Sequence, residues 1–85
     1  MNDHFSVSKL LMLRTPADVN EFVALNNTFK GYVDCIELHR NIDGKSVMGV
    51  FSMNLSEPIR VIYHGAIGSE EIFKTISKWE VFICG

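Results

Sequence analysis

Thr15-Pro16 is the fixed point of this chain. Proline locks φ near the helical value and lacks an N–H, so it suits the first position of a helix and not its interior. Thr15 can cap that helix through its hydroxyl. Asp18, three residues on, stands near the positive end of the helix dipole. Val19, Phe22, Val23 and Phe29 then form most of an i, i+3, i+4 apolar stripe, interrupted by Asn26. Asn26-Asn27 weaken the last turn, and Gly31 is a fitting stop. A helix therefore starts at Pro16.

The segments on either side repeat with other periods. Phe5 and Val7 alternate with Ser6 and Ser8, which predicts a first strand over residues 4–9 with one covered face. Leu10 to Leu13 form a connection too apolar to be left at water. Residues 32–38 read as a second strand. Its alternation is imperfect, with Val33 and Cys35 on one face and Ile36 and Leu38 on the other, so a bulge or register change is expected. His39-Arg40-Asn41 is the turn, and Ile42-Asp43 begin a short third strand. Ile59, Val61 and Tyr63 alternate with Arg60, Ile62 and His64 in a fourth strand, opened by Pro58. Gly65 to Gly68 read as a turn. A last helix starts at Ser69, with Glu70 and Glu71 in its first turn and Ile72, Phe73, Ile76, Trp79 and Ile83 as its stripe. Trp79 falls on that stripe and is expected in the core. Val81 and Phe82 lie off it, so the chain end is expected to fray, pair or pack against the sheet edge.

Between the third and fourth strands lies the stretch Ile42 to Met53. Ser46 has the chemistry of an N-cap. Val47, Val50 and Phe51 follow at i, i+3, i+4, predicting a short helix over residues 47–53 with a single apolar stripe. Met48 falls outside the stripe, as a second contact or an exposed apolar side chain. The element order is β-α-β-β-α-β-α. It predicts an α+β open-faced sandwich, a four-stranded antiparallel sheet covered on one face by three helices.

Eighty-five residues with 47% apolar content make one domain with a small but adequate core. A net charge of −2 gives no basic field for nucleic acid or anionic lipid. Leu10 to Leu13 are too few to cross a bilayer, so the chain reads as cytosolic. Cys35 and Cys84 have no metal-ligand spacing and read as thiols, not a disulfide. No cofactor or metal is expected.

The stretch Lys45-Ser46-Val47-Met48-Gly49-Val50 resembles the regulatory serine segment of HPr, the histidine-containing phosphocarrier of the bacterial sugar phosphotransferase system. The resemblance in element order runs over nearly the whole chain. It implies an HPr-like fold, Ser46 as the serine phosphorylated by HPr kinase, and Val47, Met48 and Phe51 as a partner-docking patch. The family's other motif, of Gly-Leu-His-Ala-Arg-Pro-Ala type, is altered here to Met12-Leu13-Arg14-Thr15-Pro16-Ala17. Pro16 and Ala17 align, but Leu13 occupies the histidine position and Thr15 the arginine position. Phosphocarriage needs an imidazole at a helix N-terminus with donors to steady the phosphate. Leucine supplies no nucleophile, and Arg14 with Thr15 is at most an anion or partner contact. The chain is similar in this respect to the catabolite-repression HPr-like proteins, which lack the histidine and keep the serine.

Three readings of function follow. The first is a non-enzymatic regulatory or docking module, linked to the phosphotransferase system and switched by phosphorylation at Ser46. Its partners would be HPr kinase, a transcriptional regulator or phosphotransferase components, and Ser46 acting only as a helix cap stays an equal alternative. The second is a phosphocarrier using another acceptor, such as His64 or His39. The third is a structural or assembly module that retains only the fold. Oligomeric state is open.

Overall fold

The computed structural model describes residues 4–81. The expectations that involve Phe82, Ile83 and Cys84 lie outside them. The elements run β1 (His4–Leu11), α1 (Pro16–Asn26), β2 (Gly31–Glu37), β3 (Arg40–Asp43), α2 (Val47–Phe51), β4 (Ile59–Ala66) and α3 (Ile72–Ile76). A single 3-10 turn, Ser77–Trp79, follows α3. The strands form one antiparallel sheet in the order β1-β4-β2-β3. The helices cover one face and leave the other at water, as the order of apolar periods predicts.

Strand pairing sets side by side the residues that face the helices. Val7, Tyr63 and Val33 stand side by side, as do Lys9, Val61 and Cys35, and Leu11 pairs with Ile59. Val19, Phe22 and Val23 of α1, Val50 of α2, and Ile72 and Ile76 of α3 close over these rows. Phe29, Tyr63, Phe73 and Phe5 meet edge to face, with centroids 5.4–6.5 Å apart. Trp79 meets the ring of Phe22 in the same way at 5.8 Å, in the core.

Leu10 to Leu13 do not form a loop patch. Leu10 and Leu11 complete β1, and Leu11 and Leu13 are buried in the core. The chain after the 3-10 turn pairs beside them. Val81 N–H donates to the Leu10 carbonyl at 2.8 Å and Met12 N–H to the Trp79 carbonyl at 2.8 Å, so the edge of β1 is partly closed.

β2 carries no bulge. Its register against β4 is continuous from Gly31 to Ile36. Tyr32 and Ile36 simply belong to the open face, where a one-layer sheet tolerates an apolar side chain without covering it. Helix α1 ends earlier than expected, at Asn26, capped by Asn27 in right-handed conformation. Gly31 instead opens β2 at φ 150°, where a Cβ would stand 2.1 Å from the His64 carbonyl oxygen. β4 extends two residues beyond His64, to Ala66. The last helix begins at Ile72, not Ser69.

The β2–β3 turn is tighter than expected. Glu37 pairs with Arg40, so only Leu38 and His39 lie in the loop. A two-residue hairpin loop demands φ > 0 at one or both positions, and Leu38 supplies it at φ 54° while 91% exposed. A left-handed L-residue is strained by about 1–2 kcal/mol, and burial recovers none of that here. Leu38→Gly is expected to stabilise the fold by about 0.5–1 kcal/mol after glycine's own entropy cost. In a thermal melt that is a rise of about 3–5 °C; an unchanged or lower midpoint would contradict the strain.

Candidate functional site

The second helix is placed by the end of the first. Asn26 is fully buried. Its Nδ2 donates to the Gly44 carbonyl at 2.8 Å, and its Oδ1 accepts from the Tyr63 hydroxyl at 2.9 Å. Asn27 Nδ2 donates to the Lys45 carbonyl at 3.1 Å, and Lys45 Nζ to the Phe29 carbonyl at 2.8 Å. Gly44 N–H reaches the Val33 carbonyl at 2.8 Å. A Cβ at Gly44 would stand 2.4 Å from the Val33 side chain, so this close approach requires glycine. Three contacts from the end of α1 therefore hold the two residues before Ser46.

Ser46 then caps α2. Its backbone is extended, and its Oγ accepts from Gly49 N–H at 3.1 Å. Asp43 shapes the entry, accepting Lys45 N–H on Oδ1 at 2.9 Å and Ser46 N–H on its carbonyl at 3.0 Å. The helix is five residues long, shorter than the expected span to Met53. Such a helix makes about 1.4 turns and seats only one side of itself. Val50 is buried, whereas Val47 is 39% exposed and Phe51 43% exposed, so the expected stripe is not a core stripe throughout. Met48 is 84% exposed. Val47, Met48 and Phe51 thus lie on the surface of a rigidly anchored helix, with an adaptable thioether as the most accessible of the three.

The start of α1 is built as its sequence implies. Thr15 Oγ accepts from Asp18 N–H at 3.0 Å, and Asp18 Oδ2 accepts from Arg14 N–H at 3.0 Å. The Arg14 N–H beside Asp18 holds its carboxyl below the usual range. Leu13, which the resemblance alone sets at a histidine position, is 3% exposed. Arg14, Thr15 and Phe51 border a shallow cavity of about 180 Å³. The structure therefore brings Arg14 and Thr15 to the Phe51 end of α2. Ser46, at the opposite end, does not line that cavity. The cation next to Ser46 is Lys45, engaged at Phe29.

The histidines are elsewhere. His4 is exposed at the start of β1 and His39 in the β2–β3 turn. His64 is on the open face of the sheet, with Ser6 Oγ 3.0 Å from Nδ1 and Asp34 Oδ2 3.1 Å from Nε2. Burial, reinforced by Asp34 and Asp43, pushes the Cys35 thiol up to about 12, which makes it a core residue and not a nucleophile. Burial also pushes the Tyr63 phenol up, keeping it a donor to Asn26. Among the described residues no group of three or more His, Cys, Asp or Glu is placed to hold a metal ion. No helix among them is long and apolar enough to cross a membrane.

Sequence reasoning missed the clamp of Asn26, Asn27 and Lys45. Asn26 read as an interruption of an apolar stripe. An amide in a position that should be apolar is the signal that could have exposed it, because a buried amide needs partners.

The sheet order, the two capped helices and the third helix packed across β1 and β4 define an HPr-like open-faced sandwich. The crystal structure of a phosphocarrier protein HPr from Bacillus anthracis matches it with a TM-score of 0.63, over 94% of this chain and 100% of that one. The two sequences are 19% identical over the match, so the likeness is one of fold. No protein-family model matches the sequence, and no curated protein matches it significantly.

Proposed function

We propose that this chain is a docking module on the HPr fold, and neither an enzyme nor a histidine phosphocarrier. Its contact surface is Val47, Met48 and Phe51 on α2, with Arg14 and Thr15 at the far edge, and Ser46 is the point of control. The supporting observation is a contrast between two positions. Leu13 is buried where the family's histidine would stand, whereas Met48 is 84% exposed on a helix fixed by seven hydrogen bonds at its entry. Chemistry has left the first helix start, and an apolar surface remains at the second. By the family resemblance, the setting is the cytoplasmic sugar phosphotransferase system and its control of catabolite repression. The partners are HPr kinase and a transcriptional regulator or phosphotransferase component.

Phosphorylation would join the γ-phosphoryl group of ATP to Ser46 Oγ, releasing ADP and the hydroxyl proton. The product carries roughly −1.5 to −2 charge. At the start of α2 that charge suits the helix dipole, so the fold tolerates it. The effect falls on a partner whose apolar side chains approach Val47 and Met48, because those would meet a solvated dianion. Incubation with HPr kinase and ATP is expected to add one phosphate by intact mass to the wild type and none to Ser46→Ala. No added phosphate under conditions that modify an ordinary HPr leaves Ser46 a helix cap alone.

A further inference from the structure

The open face of the sheet carries a second cluster, away from α2. In the strand register Ser6 of β1 stands opposite His64 of β4, and His64 opposite Tyr32 of β2. Asp34 lies two residues along β2 from Tyr32, on the same face. Three of these side chains form a chain of hydrogen bonds. Ser6 Oγ is 3.0 Å from His64 Nδ1, and Asp34 Oδ2 is 3.1 Å from His64 Nε2.

The chemistry of the groups sets the direction of that chain. An ionised carboxylate only accepts hydrogen bonds, so Nε2 carries the proton that faces Asp34. In the neutral imidazole this leaves Nδ1 with its lone pair, and the Ser6 hydroxyl donates to it. A serine hydroxyl, a base that can take its proton and a carboxylate that fixes the base are the parts of an activated nucleophile. Ser8 is the contrast within the same strand. It is exposed on the same face, but its Oγ accepts from Arg60 at 2.9 Å and so faces a cation where Ser6 faces a base. Stability does not account for the cluster. The His64 and Asp34 side chains are 40% and 37% exposed, and pairs so open to water add little to a fold.

We propose that Ser6 is a nucleophile that takes an acyl group from an aryl ester, with His64 as its base and Asp34 as a positioning residue. Ser6 Oγ attacks the ester carbonyl carbon while its proton passes to His64 Nδ1. The bond from that carbon to the aryl oxygen then breaks. The oxygen keeps the electron pair, takes the proton from His64 and departs as a phenol, leaving acyl-Ser6.

The substrate class follows from the shape of the face. Backbone N–H groups of a sheet point within its plane toward neighbouring strands and not out of it. The developing oxyanion therefore gains no such donor, and each missing donor costs about 10²–10³ in rate. Only an ester with a good leaving group reacts under those terms. Tyr32, 78% exposed beside His64 in the register, offers a ring on which an aryl group can stack. The cluster lies on the sheet face opposite the helices, so it stands or falls independently of Ser46.

The test is incubation of the full-length chain with p-nitrophenyl acetate, followed by intact mass and peptide mapping. The expected adduct is an acetyl ester on Ser6, formed about 100-fold faster than any on Ser8. His64→Gln should slow it about 100-fold, by removing the base. Asp34→Asn should slow it about tenfold, by freeing the ring to turn. In the wild type, the nitrogen NMR spectrum of the neutral imidazole should place the proton on Nε2. Amide spectra report whether each variant is folded, and the comparison of Ser6 with Ser8 in the wild type needs no variant. Acetyl groups on lysines alone, Ser6 labelled no faster than Ser8, or equal labelling of folded His64→Gln overturns the proposal and leaves the cluster a tie between three strands. A proton on Nδ1 also overturns it, because Ser6 would then face a donor.

Discussion

Asn26→Leu is expected to destabilise the protein by about 3 kcal/mol and to loosen the start of α2. Leucine shares asparagine's branching but is bulkier, so the change removes hydrogen bonds and also crowds a fully buried site. Two buried groups lose their partner, the Tyr63 hydroxyl at 2.9 Å and the Gly44 carbonyl at 2.8 Å. Each unsatisfied group costs about 1–3 kcal/mol, and the apolar side chain gained offsets part of that. The measurement is a urea titration, in which the midpoint should fall with an unchanged slope. Native-state amide exchange gives a second readout. Protection should drop most at Gly44 and at Gly49, whose N–H depends on the Ser46 cap. A stability loss spread evenly over α1 and β4, with Gly49 still protected, would mean that Asn26 serves the core and does not position the serine. The same variant bears on the proposed control at Ser46. A serine released from its clamp should be a changed kinase substrate even under conditions where the fold persists.

Leu13→His is expected to destabilise the protein by about 3 kcal/mol without creating a phosphocarrier. The substitution restores the residue type that the family resemblance places there. The position itself is against it, because Leu13 is 3% exposed. Removing a buried leucine forfeits roughly 1.5–3 kcal/mol of burial, and an imidazole put in its place needs hydrogen-bond partners that an apolar site lacks. Two nearby backbone donors are also committed. Thr15 Oγ holds Asp18 N–H, and Arg14 N–H is bound to the Asp18 carboxylate. Urea unfolding gives the stability, and incubation with enzyme I and phosphoenolpyruvate tests for acid-labile phosphate. A variant that keeps its wild-type midpoint and takes up phosphate would show that residues 12–15 open to solvent.

Much of the architecture could be read from residue order, because the signals are local. Thr15-Pro16 and Ser46 each mark a helix start, and both hydroxyls accept the N–H three residues on. Alternation along Ile59 to Tyr63 marks a strand, and its buried side is the predicted one. The misreadings arise where a side chain's fate depends on a distant segment. Leu10 to Leu13 read as a connection in need of cover, because nothing nearby in sequence shows what covers them. Pairing with β4 and with Glu80 to Val81 takes them in. Ile36 seemed to demand a bulge because a sequence does not say how many faces of a sheet are covered.

The candidate site divides in the same way. Ser46 as a cap, and the absence of a nucleophile at Leu13, follow from residue identity alone, since hydroxyl and alkyl chemistry do not depend on the fold. Only the tertiary structure decided that Leu13 is buried while Val47, Met48 and Phe51 face water. A stripe at i, i+3, i+4 states which side chains share a helix face, and burial depends on whether another element packs there. For α2, five residues long, packing reaches Val50 and stops. The clamp from Asn26, Asn27 and Lys45 spans 16 to 18 residues of sequence, and the Asn26–Tyr63 bond spans 37. Contacts at such separations leave no periodic trace in a single chain. The sequence therefore determined the helix starts and most of the strands, and the folded structure determined which apolar side chains were left facing water.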